Sequence, residues 1–459
     1  MSGARANCAG VMPLRARLEA WQEEIAFDGD RVEGWIEEHG SPVNLIEPTS
    51  MSRNAEEIAR AARERDVSFR IFFARKANKA IAFVNEAKRL GLGVDVASER
   101  ELSQVLVRGV DPADVIVTAA VKPKRMLELC LKSGVTVALD NGDEIRLLRE
   151  LAAERDREAR IALRLAPVQF SGRSPTRFGM AHAEIVGALD PPPAGLSLQG
   201  IHFHLDGYDV GERVAAIAQS LDLIDELRGR GHKPTFLDIG GGFPMSYLES
   251  REEWDGFWTE HRRALAGERD DLTIDGREIG TVYPYFQSPV RGEWLASILD
   301  APLHTGTVAD ALRLRDLELR CEPGRALLDG CGMTVARVQF RKRRSDGTRL
   351  VGLAMNRTQM RSTSDDFMVD PLLMRPSSAS DPTEEIEAYL VGAYCIEREL
   401  LSWRRFNFPG GVAVGDLVAF PNTAGYLMHI LESASHQIPL ARNLVVDNAT
   451  ARLDDIDRC

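Results

Sequence analysis

The segment RIFFARKANKAIAFV, residues 70–84, sets Lys76 and Lys79 where a β-type apolar run passes into a helical pattern. The run from Phe69 to Ala74 reads as a fully buried strand, and a lysine at its end needs a partner or a covalent use. Two surface lysines at a strand-to-helix turn would satisfy the same local pattern. Four further groups are chemically costly or conformationally special: Asp95 and Ser98 in GVDVAS, His202 and His204 in IHFHL, Gly240-Gly241-Gly242 after LDI, and Glu322-Pro323-Gly324-Arg325 after LELRC. Three consecutive glycines allow backbone N–H groups to close on a phosphate, and a tight turn is their plainer use. Lysine, phosphate cradle and carboxylate together suit pyridoxal 5'-phosphate. Lys76 would form a Schiff base with its aldehyde, Glu322 would hold the pyridine nitrogen protonated, and His204 would lie against the ring. A hydrogen-bonded core histidine is the alternative for His204.

These residues can act together only if the chain delivers them to one face. Eight β-rich runs alternate with helical patterns between about residues 69 and 330: SFRIFFA, GVDVA, DVIVTAA, VTVALD, RIALRLA, LQGIHFHL, PTFLDIG and LELRCE. Intervening stretches such as NKAIAFVNEAKRLG and GERVAAIAQSLDLIDELRGRG carry apolar residues at helical spacing and close on Gly or polar turns. The expected class is α/β, a TIM (β/α)8 barrel, whose active site lies at the C-terminal strand ends where these residues fall. A doubly wound open sheet would want its Gly-rich turn after the first strand, where this chain has Lys76. Residues 245–315 are too long for one crossover and hold Trp254, Trp258 and Trp294; they read as an insertion, either a lid or a structural flap. After residue 330 come β-runs without long helices, interrupted by a Ser/Asp/Pro-rich loop at 361–383, the pattern of an all-β second domain. The expected division is a segment 1–45 contributing to that domain, a barrel over 46–328 and a β-domain over 329–459; SPVNLIEPTS would add it a strand, and residues 1–15 read as loose.

At 459 residues the chain exceeds one ordinary core, and a net charge of −12 argues against a nucleic-acid or anionic-membrane partner. The basic run Arg341-Lys342-Arg343-Arg344 reads as a solvated hairpin tip. Six cysteines without CxxC spacing, no leader-like segment and no 18-residue apolar stretch point to a reducing, cytoplasmic setting.

The motifs FFARKANKAIAFV, IHFHLDGY, LDIGGGFP, CEPGRALL, GAYC and NTAGYLM, in this order, resemble those of the fold-type III pyridoxal-phosphate decarboxylases, the group of diaminopimelate, ornithine and biosynthetic arginine decarboxylases. The resemblance implies an alanine racemase-like architecture, a barrel followed by a β-domain, and a homodimer with shared active sites. It implies Lys76 as the Schiff-base lysine, His204 stacked on the ring, Glu322 on the pyridine nitrogen, and Gly240, Gly241, Gly242, Gly324, Arg325 and Tyr426 around the phosphate. It further implies Cys395 as a proton donor reaching in from the partner subunit, and a small-molecule amino-acid substrate, with Arg325, Asp95 and Glu397 as candidate contacts. Three departures stand out. The family's Gly-Ser after the histidine is replaced by Asp206-Gly207, its acid after the cysteine by Ile396 with Glu397 one step on, and its tyrosine motif reads NTAGY.

Decarboxylation of an amino acid to an amine and CO2 is the expected reaction. A racemase or epimerase on the same cofactor is the alternative, although related racemases set an arginine on the pyridine nitrogen where Glu322 stands. A remoter alternative is a metal-dependent barrel hydrolase using the His202-Phe203-His204 pair, which finds no matching cluster at other strand ends, so no metal is expected. A cofactor-holding protein without catalysis would leave Cys395 and the β-domain without a purpose.

Overall fold

The computed structural model describes residues 7–168, 175–190, 194–304, 306–380, 384–447 and 450–458; Cys459 and the end of the 361–383 loop lie outside the described residues. Eight parallel strands close a barrel: β1 (Phe69–Ala74), β2 (Gly93–Val96), β3 (Val115–Val117), β4 (Thr136–Leu139), β5 (Ala159–Arg164), β6 (Leu196–His202), β7 (Phe236–Asp238) and β8 (Glu318–Cys321). Each of the eight runs read from the sequence supplies one of them. Closure comes from β8, which pairs with β7 on one side and with β1 on the other, Cys321 standing opposite Ile71.

Complementary volumes explain how the barrel fills. Phe72, Ile116, Ala138, Ala162 and Phe236 form an interior cluster, and the two rings need empty space beside them. Gly93 and Gly200 provide it, since a Cβ at either would stand 2.4 Å from the ring of Phe72 or Phe236. Adding a methyl there would overpack the interior at a cost of about 1–3 kcal/mol. Apolar helix faces, from Ile81–Arg89 to Val210–Gly229, cover the outside of the barrel.

Strand Gly332–Arg343 is the spine of the second sheet. It pairs antiparallel with Arg349–Leu353, with Leu417–Pro421 and with the N-terminal strand Val43–Ile46, which in turn lies parallel to Arg442–Asp447. The basic run forms the exposed hairpin end, as its composition suggests. Helices Ala20–Ala26 and Gly29–His39 pack Ile25, Val32 and Ile36 against Val43, Leu45, Met333 and Val335, so two N-terminal helices cover one face of this sheet. Residues 7–15 depart from the expected loose segment, residues 1–6 lying outside the described residues. Ala9–Gly10 pairs with Phe406–Phe408, Leu14 is fully buried, and its N–H donates to Asp370 at 3.0 Å.

Between β7 and β8 the long excursion folds into helices Arg251–Leu265 and Arg291–Leu299 joined by an aromatic segment. Trp294 is buried, packs 4.8 Å from the Phe243 ring, and donates its indole N–H to the Tyr208 carbonyl at 2.8 Å. Tyr283 lies against Arg325, so this segment reaches the barrel mouth.

Candidate active site

The turn that carries Lys76 is held from outside the barrel. After β1 the chain makes a short 3-10 turn, Arg75–Ala77, and the Asn78 side chain then accepts from the Ala80 N–H just before helix Ile81–Arg89. Asn78 also donates to the Ala424 carbonyl at 2.8 Å, and the Tyr426 N–H donates to the Ala77 carbonyl at 2.7 Å. At the C-terminal end, Asp454 accepts the otherwise orphaned N–H groups of Ile81 and Ala82. The sheet domain therefore fixes the lysine turn on three sides.

Lys76 Nζ donates to Asp95 Oδ2 at 2.6 Å and stands 4.0 Å from Glu322 Oε2. Asp95 is wholly buried, and Thr118 donates to its other oxygen. Both Asp95 oxygens are thus engaged by groups of this chain. Burial works against the Lys76 charge, but Asp95 and then Glu322 outweigh it and hold the ammonium well above its ordinary range.

Behind the lysine lies a dense pocket of negative charge. Asp95, Asp238 and Glu322 are all buried, and burial pushes each carboxyl upward; Glu322 adds to the shift at Asp95 and Asp238. His202 sits fully buried with Nε2 3.2 Å from Glu322 Oε1, and burial followed by the Arg164 charge keeps it neutral. His202, Asp238 and Glu322 offer ligand atoms within 4.8 Å of one another. His204 serves another partner: its Nδ1 accepts the Gly241 N–H at 3.2 Å. The HxH pair thus does not act as a unit.

The opposite end is positive. Arg325 donates to Tyr247 Oη and the Gly425 carbonyl, both at 3.2 Å, while its guanidinium lies 4.1 Å over the Tyr283 ring and 5.2 Å over Tyr426. Among the described residues no carboxylate pairs with it. Of the three glycines, Gly240 donates to Asp238 Oδ1 at 2.8 Å and Gly241 to His204, so their N–H groups are taken. The N–H groups of Gly242, Gly324 and Arg325 have no acceptor among the described residues. Two positions show that this space is shaped. A Cβ on Gly324 would stand 2.6 Å from Tyr426 Oη, and Tyr426 itself holds a left-handed φ of 71°, a conformation that costs a non-glycine residue roughly 1–3 kcal/mol.

One chain thus brings together Lys76, Asp95, His204, Gly240–Gly242, Glu322, Gly324, Arg325 and Tyr426. Cys395 and Glu397 do not join them. They lie on the turn between Gly392 and Glu399, where Cys395 is exposed and Ile396 is 46% exposed. Two buried residues at the site had no role in the sequence reading. Asp238 ends β7 as Asp95 nearly ends β2, and an acid closing a buried strand was a readable signal. Arg213 stands at the inward position one turn before Ala216 and Ile217, a place where helical periodicity expects an apolar residue.

A barrel whose mouth joins a lysine, a carboxylate-rich end and a cationic, N–H-rich end defines a site for a phosphorylated carbonyl compound. Comparison with known proteins gives it a family. Residues 51–275 match the model of the pyridoxal-dependent decarboxylase, pyridoxal binding domain. An uncharacterized protein of Sinorhizobium fredii is 31% identical over 425 residues, covering 91% of this chain and 90% of that one. The diaminopimelate decarboxylase of Pseudomonas aeruginosa is 27% identical over 78% of this chain and 76% of its own length. Among solved structures, diaminopimelate decarboxylase from Helicobacter pylori complexed with L-lysine superposes with a TM-score of 0.69 at 18% identity, over 92% of this chain and 95% of that one. Lysine/ornithine decarboxylase from Vibrio vulnificus complexed with putrescine gives 0.67 at 17%, over 95% and 100%. The chain belongs to the fold-type III pyridoxal-dependent decarboxylases and is a pyridoxal-phosphate-dependent carboxy-lyase.

The residues present fit that cofactor. The unpartnered N–H groups and Arg325 suit its phosphate, and Glu322 Oε1, buried and without a hydrogen bond among the described residues although His202 Nε2 stands 3.2 Å away, suits a protonated ring nitrogen. No helix among the described residues is long and apolar enough to cross a membrane.

Proposed function

We propose that this protein decarboxylates an amino acid lacking a distal ammonium group, with Lys76 as the cofactor-bearing lysine and Cys395 of a partner subunit as the proton donor. The observation that carries the reading is the polarity of the site: three buried carboxylates at one end of Lys76, and Arg325 with unpartnered N–H groups at the other. Bound between them, pyridoxal phosphate supplies an aldehyde for the lysine and a ring that takes up the electron pair left when CO2 departs.

The chain's own groups bind, orient and move the protons. Gly242, Gly324, Arg325 and Tyr426 hold the phosphate end, and Glu322 holds the proton on the ring nitrogen. His204, kept neutral by burial and then by Lys76, offers a flat uncharged face toward the ring. Asp95 would keep the Lys76 amine aligned through its hydrogen bond, ready to take or give a proton. A proton must then return to the substrate α-carbon, and Cys395, exposed in the single chain, is free to deliver it in a homodimer. Ile396, Ile430, Leu431 and Leu440, all exposed on the sheet domain, suit burial against a second copy.

Ile396 also sets the substrate class. An apolar side chain where the family keeps an acid leaves a distal ammonium unpaired, at a cost of several kcal/mol. The test is CO2 release over a panel of L- and D-amino acids, including lysine, ornithine and meso-diaminopimelate. Release from a neutral or acidic amino acid, with those three turned over poorly, is the expected outcome. Efficient turnover of any of the three would overturn the substrate reading and point to Glu397.

A further inference from the structure

Arg213 is a buried cation with no part in the reaction proposed for this site. Its side chain is 1% exposed, and it lies in the first turn of the 20-residue helix Val210–Gly229. A positive charge there opposes the helix macrodipole. No described carboxylate pairs with it. Its three hydrogen bonds all go to backbone carbonyls: Nη1 donates to Ile239 at 2.7 Å, and Nη2 to Gly207 at 3.4 Å and Gly242 at 3.5 Å. Nε has no partner among the described residues. Phe203 and Trp294, 5.9 and 5.3 Å from the guanidinium, close it off from water. Burial is the largest influence on it and brings its proton affinity down to about 10.

An arginine in such a place must be compensated from elsewhere, because a buried charge without a counter-charge is costly. Its carbonyl partners identify where. Ile239 and Gly242 bracket the glycine turn, and Gly207 occupies the position where the family resemblance expects a serine. Arg213 thus ties the β6 and β7 loops together from behind. By holding the Ile239 and Gly242 carbonyls it fixes the peptide planes on either side of the turn, and so constrains the Gly242 N–H that lies between them.

We propose that Arg213 is the positioning residue of the phosphate end, holding the 240–242 turn in its anion-accepting form and placing a positive charge behind a turn that lacks the hydroxyl donor of the family's serine. The proposal rests on the reading of that turn as the phosphate cradle, and the test separates the two. Apoprotein regenerated from the holoenzyme is titrated with pyridoxal phosphate and with pyridoxal, trapping each adduct with borohydride; inorganic phosphate serves as competitor. Wild type is expected to prefer the phosphorylated form strongly and to be inhibited by phosphate. Arg213→Met should cut that preference at least tenfold while pyridoxal binds as before, and Arg213→Lys should restore part of it. The rise in melting temperature on adding pyridoxal phosphate should shrink in the same order. Three results would overturn the proposal: an unchanged preference in Arg213→Met, equal loss for both ligands, or failure of both Arg213→Met and Arg213→Gln to fold, which would make the residue purely structural. A wild type without preference would remove the cradle reading itself and the proposal with it.

Discussion

Replacing Asp95 by asparagine removes the nearest counter-charge of Lys76 with little change of shape. Lys76 Nζ lies 2.6 Å from Asp95 Oδ2 and 4.0 Å from Glu322 Oε2, so one carboxylate stays in place. A hydrogen bond to a charged group contributes about 1.5–3 kcal/mol. With 34% of the lysine side chain exposed, solvent screening puts the loss near the lower end of that range. At about 1.4 kcal/mol per pK unit, the proton affinity of Lys76 should fall by about one unit. The direction follows from the charges: Asp95 raises the lysine, so its removal lowers it, and the neutral amine that attacks an aldehyde becomes about tenfold more abundant at any pH well below the new value. The assay is the rate at which borohydride-trappable adduct forms from apoprotein and pyridoxal phosphate as a function of pH. The rising limb should move about one pH unit toward acid in Asp95→Asn. A profile that superimposes on wild type, or moves toward alkali, would refute the view that Asp95 sets the charge state of Lys76.

Glu322→Gln should keep the cofactor yet lower the decarboxylation rate about 100- to 1,000-fold, the usual effect of losing one preorganised electrostatic contact; near-normal single-turnover kinetics would remove Glu322 from the ring nitrogen. Lys76→Ala and Cys395→Ala, each inactive alone, should recover about a quarter of wild-type activity when mixed and refolded together, since half the random dimers are mixed and each mixed dimer holds one intact site; mixed dimers without activity would sink the shared-site reading. His429 is buried, and burial followed by the Lys79 charge depresses it to about 3. A histidine lowered from about 6.5 stays neutral in the fold while the unfolded chain takes up a proton, so its contribution is present above pH 6.5 and is lost as pH falls toward 3. His429→Gln should therefore flatten the acid limb of unfolding free energy by about 1.4 kcal/mol per pH unit, measured by denaturant titration between pH 4 and 6; an unchanged slope would mean that His429 titrates normally.

All eight barrel strands were readable because each is a short apolar run closed by a turn, and the parallel barrel buries such runs on both faces. Lys76, Glu322 and the glycine turn were readable because each breaks a local rule: a charge after a buried strand, or three glycines where one would turn the chain. Other features depend on long-range pairing that no local pattern records. The N-terminal residues read as loose because their partners, Asp370 and Phe406–Phe408, lie some 350–400 positions away. Tyr283 looks like any insertion aromatic until it is seen over Arg325. Arg213 lies in a helix whose other arginine, Arg228, looks the same in sequence, and only its near-complete burial sets it apart.

The strand Val43–Ile46 lies between Gly332–Arg343 and Arg442–Asp447, so its two neighbours are made only after the whole barrel. On a ribosome adding about 5–20 residues per second, it waits roughly 15–60 s without a hydrogen-bonding partner. During that time its apolar side chains and open edges are exposed to any nascent-chain chaperone and to other unfinished copies. A gene split between the two domains would leave two sheet strands, Ala9–Gly10 and Val43–Ile46, on the wrong piece, so the halves should require co-expression to become soluble together. Translation speed and chaperone supply, rather than barrel stability, would then limit the yield of finished protein.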